Sequence, residues 1–378
     1  MPLSNRENYL RNVTMTGPDR IPCNVYISGA SWNQYRGEME EVCARHPVIF
    51  PNFEKGKRQY EDHEFAPGHE PRRRITDAWG CEWEFAVGGL EGVVVKHPLE
   101  DWSALASYKA PDPLVTDDRG PIDWTAARDK VEKAKADGSL TTGSLHHGFL
   151  VMRLQYLRGF ENSMLDFATE DENLQKLIDI VVEHNLKRVR QWISFSVDVL
   201  SAGEDLGTQS APIMSPKMFR KWIVPAYRRL FMPCREAGIH VDLHSDGRVL
   251  ELVDCFLESG VNIVNPQDLV NGIDNLAREV KGRCCIRLDI DRQKIIPFGT
   301  RKEIRELIEE EVRKLGSPQG GLSLIAGIYP PTTPQNVDAL CCALEEFRTF
   351  WWDGRARSKA AGASSKGRRT KGKIADKP

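Results

Sequence analysis

Short apolar runs alternate with longer amphipathic stretches from about residue 139 onward, and this alternation most constrains the fold. The runs have the length of β-strands, and only a few residues join each run to the next helical stretch. Parallel strands need a crossover connection, usually a helix, so the order predicts a parallel sheet covered by helices. The predicted strands are 20–27, 139–146, 197–207, 240–244, 261–266, 284–291 and 322–328.

The stretches between these strands carry helix signals. Ser215 and Pro216 combine a capping residue with a proline in the first turn, and Gly238 closes the same stretch. Helices are predicted at 171–195, 215–238, 248–260 and 300–316. Six strands after residue 138, with one or two before it, suit eight strands better than an open sheet. We therefore predict an α/β fold, a (β/α)8 TIM barrel with extra N-terminal elements, among them an antiparallel hairpin within 75–85 and 92–99 that turns at Gly88 and Gly89.

The C-terminal segment differs in charge from the rest of the chain. Residues 354–378 contain nine Lys or Arg, one Asp and almost no large apolar residue, while the rest carries a net charge of −10 against −2 for the whole chain. Such a segment cannot offset the entropy of ordering. We predict a barrel domain over 1–353 and a disordered basic tail over 354–378. No aromatic residue is interleaved with the basic ones, so nucleic acid is not expected as a partner.

Composition limits the cellular setting. Hydrophobic residues make up 40 % and charged residues 28 % of 378 residues, which is ordinary for a globular protein. No apolar run is long enough for a membrane span, and the N-terminal stretch lacks the apolar segment of a secretory signal. The nine cysteines include two adjacent pairs and resemble reduced core thiols, not a disulfide framework. These features predict a cytoplasmic protein.

Polar residues follow the predicted strands, where a barrel has its active-site mouth. The predicted catalytic residues are His244, Asp246, Glu204, Asp205 and Asp289, and the predicted substrate-binding residues are Gln209, Asn265, Gln267, Asp291, Gln293, Tyr329 and His146. Asp289 and Asp291 would share one strand face, either as paired carboxylates or with a helix-capping role. Of His146 and His147, at most one would face the pocket, because adjacent strand residues point to opposite faces. No phosphate-binding loop or dinucleotide fingerprint is present.

Three long stretches resemble the uroporphyrinogen decarboxylase superfamily: GEDLGTQSAPIMSPKMFRKWIVPAYRRL, HVDLHSDGRVLELVDCFLESGVNIVNPQD and RLDIDRQKIIPFGTRKEIRELIEEEVRKL. The resemblance covers roughly residues 10–350 and implies a single (β/α)8 barrel. One branch of this superfamily decarboxylates uroporphyrinogen without metal or cofactor. Another contains corrinoid-dependent methyltransferases, which use zinc to activate a thiol or demethylate methoxylated compounds onto a corrinoid protein.

The motifs of both branches are altered here. The decarboxylase branch carries an Arg-Gln-Ala-Gly-Arg motif, and in the matching stretch YISGASWNQYRGE the only arginine is Arg36. The methyltransferase branch carries His-x-Cys and a later Cys. His244 keeps the first position, Asp246 stands at the second, and Ile328 or a neighbour replaces the last. The resemblance thus implies that a bound divalent metal, zinc or an oxygen-preferring ion, would be held by His244, Asp246 and Glu204 without sulfur. Alternatively, His244 and Asp246 hydrogen-bond each other or a ligand.

Three functions follow from the resemblance. The first is transfer of a methyl group from a small methylated substrate to a corrinoid protein or a thiol, with the corrinoid on a separate partner protein. The second is a cofactor-free carboxy-lyase acting on uroporphyrinogen or a smaller acid, in which Asp205, Asp289 or Asp291 directs protonation and Arg36 or Arg287 anchors the carboxylate. The third is a ligand-binding barrel without catalysis. A homodimer and a monomer are both compatible with the sequence.

Overall fold

The computed structural model describes residues 2–60, 73–86 and 92–354. Its centre is a curled sheet of seven parallel strands in the order β1-β10-β9-β8-β7-β6-β5. These strands are β1 (Cys23–Ile27), β5 (Thr142–His147), β6 (Val199–Glu204), β7 (His240–Ser245), β8 (Ile263–Pro266), β9 (Cys285–Asp289) and β10 (Leu322–Ile328). A separate antiparallel sheet contains β2 (Arg74–Thr76), β3 (Glu82–Glu84) and β4 (Val93–Lys96).

Helices cover the outward face of the parallel sheet. They are α1 (Asn5–Thr14), α2 (Gly29–Arg45), α3 (Trp124–Ala136), α4 (Val151–Arg158), α5 (Phe160–Thr169), α6 (Leu174–Ser194), α7 (Pro216–Glu236), α8 (Val253–Glu258), α9 (Asp268–Asn271), α10 (Ile273–Glu279), α11 (Ile295–Phe298), α12 (Arg301–Leu315) and α13 (Pro334–Phe347). Short 3-10 helices span Trp102–Ser107 and Leu250–Leu252. None of the helices in the described parts of the chain is long and apolar enough to cross a membrane.

The seven predicted strands all form, but within the described residues no eighth strand joins the parallel sheet and the barrel does not close. The described residues make a half-barrel, because β1 and β5 are both edges of the sheet and do not pair with each other. Between them, β2, β3 and β4 pair antiparallel among themselves and contribute nothing to the parallel sheet. The opening leaves inward-facing side chains of the edge strand exposed, and Tyr26 on β1 is 60 % exposed.

The predicted helices form with the expected boundaries in most cases. Ser215 caps α7 by accepting from the backbone N–H of Met218, and Pro216 occupies the first turn. Thr300 and Glu303 form a capping box at the start of α12. The stretch predicted as one helix over 248–260 instead divides into a 3-10 turn and the short α8.

The predicted antiparallel pairing of 75–85 with 92–99 forms between β3 and β4, and β2 adds a third strand on the other side of β3. Its predicted turn at Gly88 and Gly89 lies outside the described residues. So does the predicted basic tail beyond Gly354. The extra N-terminal helix α1 crosses the amino ends of β9 and β10, where Asn12 donates to the Ser323 hydroxyl at 3.0 Å.

Core and site lie on opposite faces of the parallel sheet. Outward-facing residues such as Leu200, Leu243 and Ile286 are at most 1 % exposed and pack beneath the helices. Burying one such side chain contributes about 2 kcal/mol. The inward face carries polar residues, and at the carboxyl ends of the strands these residues converge.

Candidate functional site

The candidate site begins where β7 presents His244 and then Asp246 inside the curled sheet. The Nε2 atom of His244 lies 3.2 Å from the Oδ1 atom of Asp246. On the other side of the ring, Nδ1 lies 3.1 Å from the amide oxygen of Asn265, the residue that pairs with His244 on β8. The predicted pair at the end of β7 therefore lies in contact, with a predicted substrate-binding residue beside it.

The hydrogen bonds of Asn265 orient the imidazole ring of His244. The amide nitrogen of Asn265 donates to the carbonyl of Arg287, so its amide oxygen faces the imidazole and Nδ1 must donate. With Nδ1 bonded to Asn265, Nε2 faces Asp246, and either a proton on Nε2 or a cation near both atoms would bridge the two side chains.

Asp246 is held by side chains from neighbouring strand ends. Gln267 donates to Asp246 Oδ1 at 2.8 Å, and the guanidinium of Arg292 pairs with the same oxygen. Partial burial acts to raise the pKa of Asp246, but the hydrogen bond from His244 and the charge of Arg292 outweigh it and lower the pKa. Asp246 is therefore ionised at neutral pH and able to accept a cation.

Asp289, the last residue of β9, completes the first of two groups around His244. Its side chain is 4 % exposed and lies 3.6 Å from Arg292. Burial raises the pKa of Asp289, and the nearby positive charge of Arg292 partly offsets this. His244, Asp246 and Asp289 each offer one ligand atom, and these atoms lie within 4.8 Å of one another.

A second group contains His147, Asp205 and the same His244, again with ligand atoms within 4.8 Å of one another. The Nε2 atom of His147 lies 3.3 Å from Asp205 Oδ1, and this hydrogen bond raises the pKa of His147 despite burial. The rings of His147 and His244 are 6.1 Å apart. We call the five residues of the two groups, His147, Asp205, His244, Asp246 and Asp289, the His244 cluster.

The prediction that at most one of His146 and His147 faces a pocket is wrong. Both line one cavity of about 410 Å³ beside the His244 cluster. The register of β5 against β6 shifts between Ser144 and His147. Strict alternation of side chains is lost at such an irregularity, so both rings can reach the same space.

The structure corrects the prediction that Glu204 joins His244 and Asp246. In the register of β6 against β7, Gly203 pairs with His244 and Glu204 pairs with Ser245. Since side chains alternate along a strand, Glu204 points to the outward face while His244 points inward.

Glu204 is instead bound to a helix. It is fully buried and accepts hydrogen bonds from the backbone N–H groups of Leu150 and, at 2.8 Å, Val151 at the start of α4. Burial raises the pKa of Glu204 to about 8 although these bonds act to lower it. The role visible in the structure is to cap α4, and neither group around His244 includes Glu204.

Another cavity, of about 250 Å³, lies on the far side of Asp289. Its lining includes Asp268 and the predicted residues Gln209, Gln267, Asp289, Asp291 and Gln293. The expected pairing of Asp289 with Asp291 does not occur, because β9 ends at Asp289 and the chain turns. Asp291 accepts from the backbone N–H groups of Gln293 at 3.1 Å and Lys294 at 2.9 Å, which is the capping role left open by the sequence.

The predicted substrate-binding residue His146 belongs to a different set of ion pairs. Its Nδ1 atom lies 2.7 Å from Asp118, its Nε2 atom contacts Asp117, and Arg153 pairs with Asp118 at 2.7 Å. Arg188 pairs with Asp117 at 2.8 Å. We call Asp117, Asp118, His146, Arg153 and Arg188 the Asp118 cluster. His146 lines the cavity, but both of its ring nitrogens are already bonded.

The position of the later Cys in the methyltransferase pattern falls on β10. Ile328 is fully buried, and its backbone oxygen accepts from Ser28. The neighbouring Tyr329 reaches the mouth, where its ring lies 5.8 Å from the guanidinium carbon of Arg292. All nine cysteines are described and free, and none belongs to the His244 cluster.

Residues 73–347 match the sequence profile of the family described as Uroporphyrinogen decarboxylase (URO-D). The chain belongs to the URO-D family. A methyltransferase from Methanosarcina mazei has a similar fold, with a TM-score of 0.64, 17 % identity, and coverage of 91 % of this chain and 99 % of that chain. A B12-independent methionine synthase from Shewanella sp. W3-18-1 aligns with a TM-score of 0.42 and 10 % identity over 65 % of this chain and 71 % of that chain. No curated protein matches in sequence.

Two residues of this URO-D family site were not predicted to have a role. His147 was considered only as the neighbour of His146, and strict strand alternation hid it. Arg292 follows Asp291 directly in the sequence, but nothing in a loop sequence shows that its side chain turns back to Asp246. A cation next to three strand-end acids was the signal that could have identified it.

Proposed function

We propose that this URO-D family protein is an enzyme that transfers a methyl group from a small methylated substrate to a corrinoid protein or a thiol. We further propose that a divalent metal binds to His244, Asp246 and Asp289. The observation that carries the proposal is the grouping of one imidazole nitrogen and two carboxylates, whose ligand atoms lie within 4.8 Å of one another, with Nε2 of His244 3.2 Å from Asp246. A divalent cation among these atoms would bind all three side chains.

The donor set fits such a metal. His244 donates its other ring nitrogen to an amide oxygen, which is the arrangement that orients metal-binding histidines. One nitrogen and two carboxylate oxygens suit zinc or an oxygen-preferring divalent ion. Asp289 takes the place that the sequence assigned to Glu204. The bound metal would act as a Lewis acid on the substrate atom that carries the methyl group.

The remaining side chains can then act on the substrate. Arg292 neutralises part of the charge of Asp246 and Asp289 and keeps the two carboxylates close together. His147, fixed by Asp205, lies where it can hydrogen-bond the atom from which the methyl group departs. The cavity of about 410 Å³ next to His147 has room for a small substrate.

The charge of the mouth favours methyl transfer over uroporphyrinogen decarboxylation. Asp205, Asp246 and Asp289 lie at the mouth, and Arg292 is paired with two of them. A tetrapyrrole with eight carboxylates needs several cations in its pocket, and this arginine is already paired with acids of the chain itself. Arg36, the arginine in the stretch matching the decarboxylase motif, lies at a kink in α2, where its guanidinium carbon is 5.8 Å from the Tyr60 ring.

Metal analysis of protein purified without chelator tests the proposal. One divalent ion per chain is expected in the wild type and its loss in His244→Ala. His240→Gln is the matched control, since His240 lies four residues earlier on the same strand, and it should retain the ion. A wild type that is active without metal would overturn the proposed metal site and leave His244 as a hydrogen-bonding group.

The methyl transfer itself is tested with free cobalamin or a corrinoid protein and a panel of methylated amines, ethers and thioethers. Methylation changes the cobalamin absorption spectrum, and the change should require His244. Release of carbon dioxide from uroporphyrinogen or a smaller acid, without any change in the cobalamin spectrum, would favour the lyase instead.

A further inference from the structure

The inward face of the half-barrel is polar well below the mouth. TIM barrels usually fill this interior with layers of branched apolar side chains. Here Asp242 lies two residues before His244 on the same face of β7, and Ser201 is its partner on β6. Arg287 lies two residues before Asp289 on β9, and Ser323 is its partner on β10. A layer of charged and hydroxyl groups thus lies beneath the His244 cluster.

An ion pair bridges this layer. Arg287 Nη1 donates to Asp242 Oδ2 at 2.6 Å across β8. Asp242 is 3 % exposed, and its other oxygen, Oδ1, has no hydrogen-bond partner among the described residues. Burial raises the pKa of Asp242, while the charge of Arg287 opposes that shift. A buried carboxylate oxygen without a donor is unfavourable for folding.

Asp242, which carries the unpaired oxygen, lines a cavity. A cavity of about 260 Å³ is lined by Tyr9, Asn24, Thr142, Ser201, Asp242, Arg287 and Ser323, together with a few apolar side chains. Its walls include both edge strands, β1 and β5, between which the sheet is open. A quarter of the Arg287 side chain remains exposed, at 25 %. We call this space the lower chamber.

We propose that the lower chamber is a second binding site, separate from the mouth, for a small amino-carboxylate zwitterion. The ammonium group would donate to Asp242 Oδ1 and to the hydroxyl of Ser201 beside it, and the carboxylate would accept from Arg287 and the hydroxyl of Ser323. The ion pair is neutral as a whole, so a singly charged ligand would leave a net charge beside the buried carboxylate, which is unfavourable. A zwitterion satisfies both partners and keeps the chamber neutral. This site does not depend on the proposed methyl transfer.

Binding of three matched probes to the full chain tests the site. Glycine carries both charged groups, acetate carries only the carboxylate, and methylamine carries only the ammonium. Saturation-transfer NMR and calorimetry should detect glycine, with at least tenfold weaker binding of the other two. Equal binding of acetate and glycine, or binding of none of the three, would overturn the proposal and leave a chamber that holds only water.

Variants locate the site. Asp242→Asn should weaken glycine binding at least tenfold, whereas Asp246→Asn, in the mouth, should leave it unchanged. If Asp242→Asn does not fold, Ser201→Val fills part of the chamber without touching the ion pair and should also weaken binding. Glycine binding that survives in a folded Asp242→Asn or Ser201→Val variant, or that disappears in Asp246→Asn, would place the ligand elsewhere and refute the proposal.

Discussion

His146 and His147 are adjacent in the chain, yet they belong to clusters of different character. In the Asp118 cluster, both ring nitrogens of His146 are bonded to carboxylates, and Arg153 and Asp118 are buried at 5 % and 7 % exposure. In the His244 cluster, His147 is half exposed, and His244 and Asp246 lie in contact at the partly exposed mouth. The first arrangement links buried parts of the fold, and the second is the place where we propose that a metal binds.

The contrast separates two kinds of histidine–carboxylate site. A buried ion pair whose partners are all present stabilises mainly because breaking it leaves an uncompensated charge. A more exposed pair contributes little to folding and is available for chemistry. Mutations in the two clusters should therefore affect different properties of the protein.

The largest effect should come from His244→Ala. Methyl transfer, followed by the cobalamin spectrum, should fall on the order of a thousandfold, because the variant loses the nitrogen that we place at the reacting centre. The melting temperature should change little, since the residue lies at the rim. A variant that unfolds, or that keeps its activity, would contradict the proposed difference between the two clusters.

The next largest effect should come from Asp118→Asn, and it should be on stability. The change removes the charge that pairs with Arg153 and His146, and we expect a loss of about 3 kcal/mol in the free energy of unfolding. The matched change Asp246→Asn, at a more exposed carboxylate, should cost less than about 1 kcal/mol. Denaturant titration of both variants measures the difference, and equal losses would contradict the comparison.

A smaller effect, and a gain, is expected from Asp246→Cys. The change places a thiolate two residues after His244, as in the family pattern, and zinc prefers sulfur over a carboxylate. Zinc affinity should rise about tenfold, or about 1.4 kcal/mol, in a chelator competition. An unchanged or lower affinity would show that Asp246 does not contact the metal.

The smallest effect concerns pH. Burial acts to lower the pKa of His146, but its bonds to Asp117 and Asp118 outweigh this and raise it. A raised histidine pKa stabilises the fold fully below the unfolded value of about 6.5, and this stabilisation is lost as the pH rises through the folded value. The wild type should therefore lose more stability than His146→Gln between pH 6 and pH 9. Identical pH profiles of melting temperature would count against the charged state of His146.

Much of the parallel sheet and the position of the mouth could be predicted from local patterns. The seven strands and the caps at Ser215 and Thr300 depend on periodicity and on capping residues, which act within a few positions of the chain. For the same reason, the acids and histidines that follow the strands could be identified as residues of one mouth. The eighth strand could not be judged in this way, because whether an edge strand finds a partner depends on residues far away in sequence.

By itself, the sequence determined that this chain builds a parallel α/β sheet with polar residues at one end. The reason is that alternation and helix capping depend on residues that are close together in the chain. Only the tertiary structure decided which of those residues meet. The register between β6 and β7 turns Glu204 outward under α4, and the irregularity of β5 turns His147 inward. A shift of one residue reverses the face of a strand side chain. The site is therefore defined by register and by long-range contact, which no short stretch of sequence encodes.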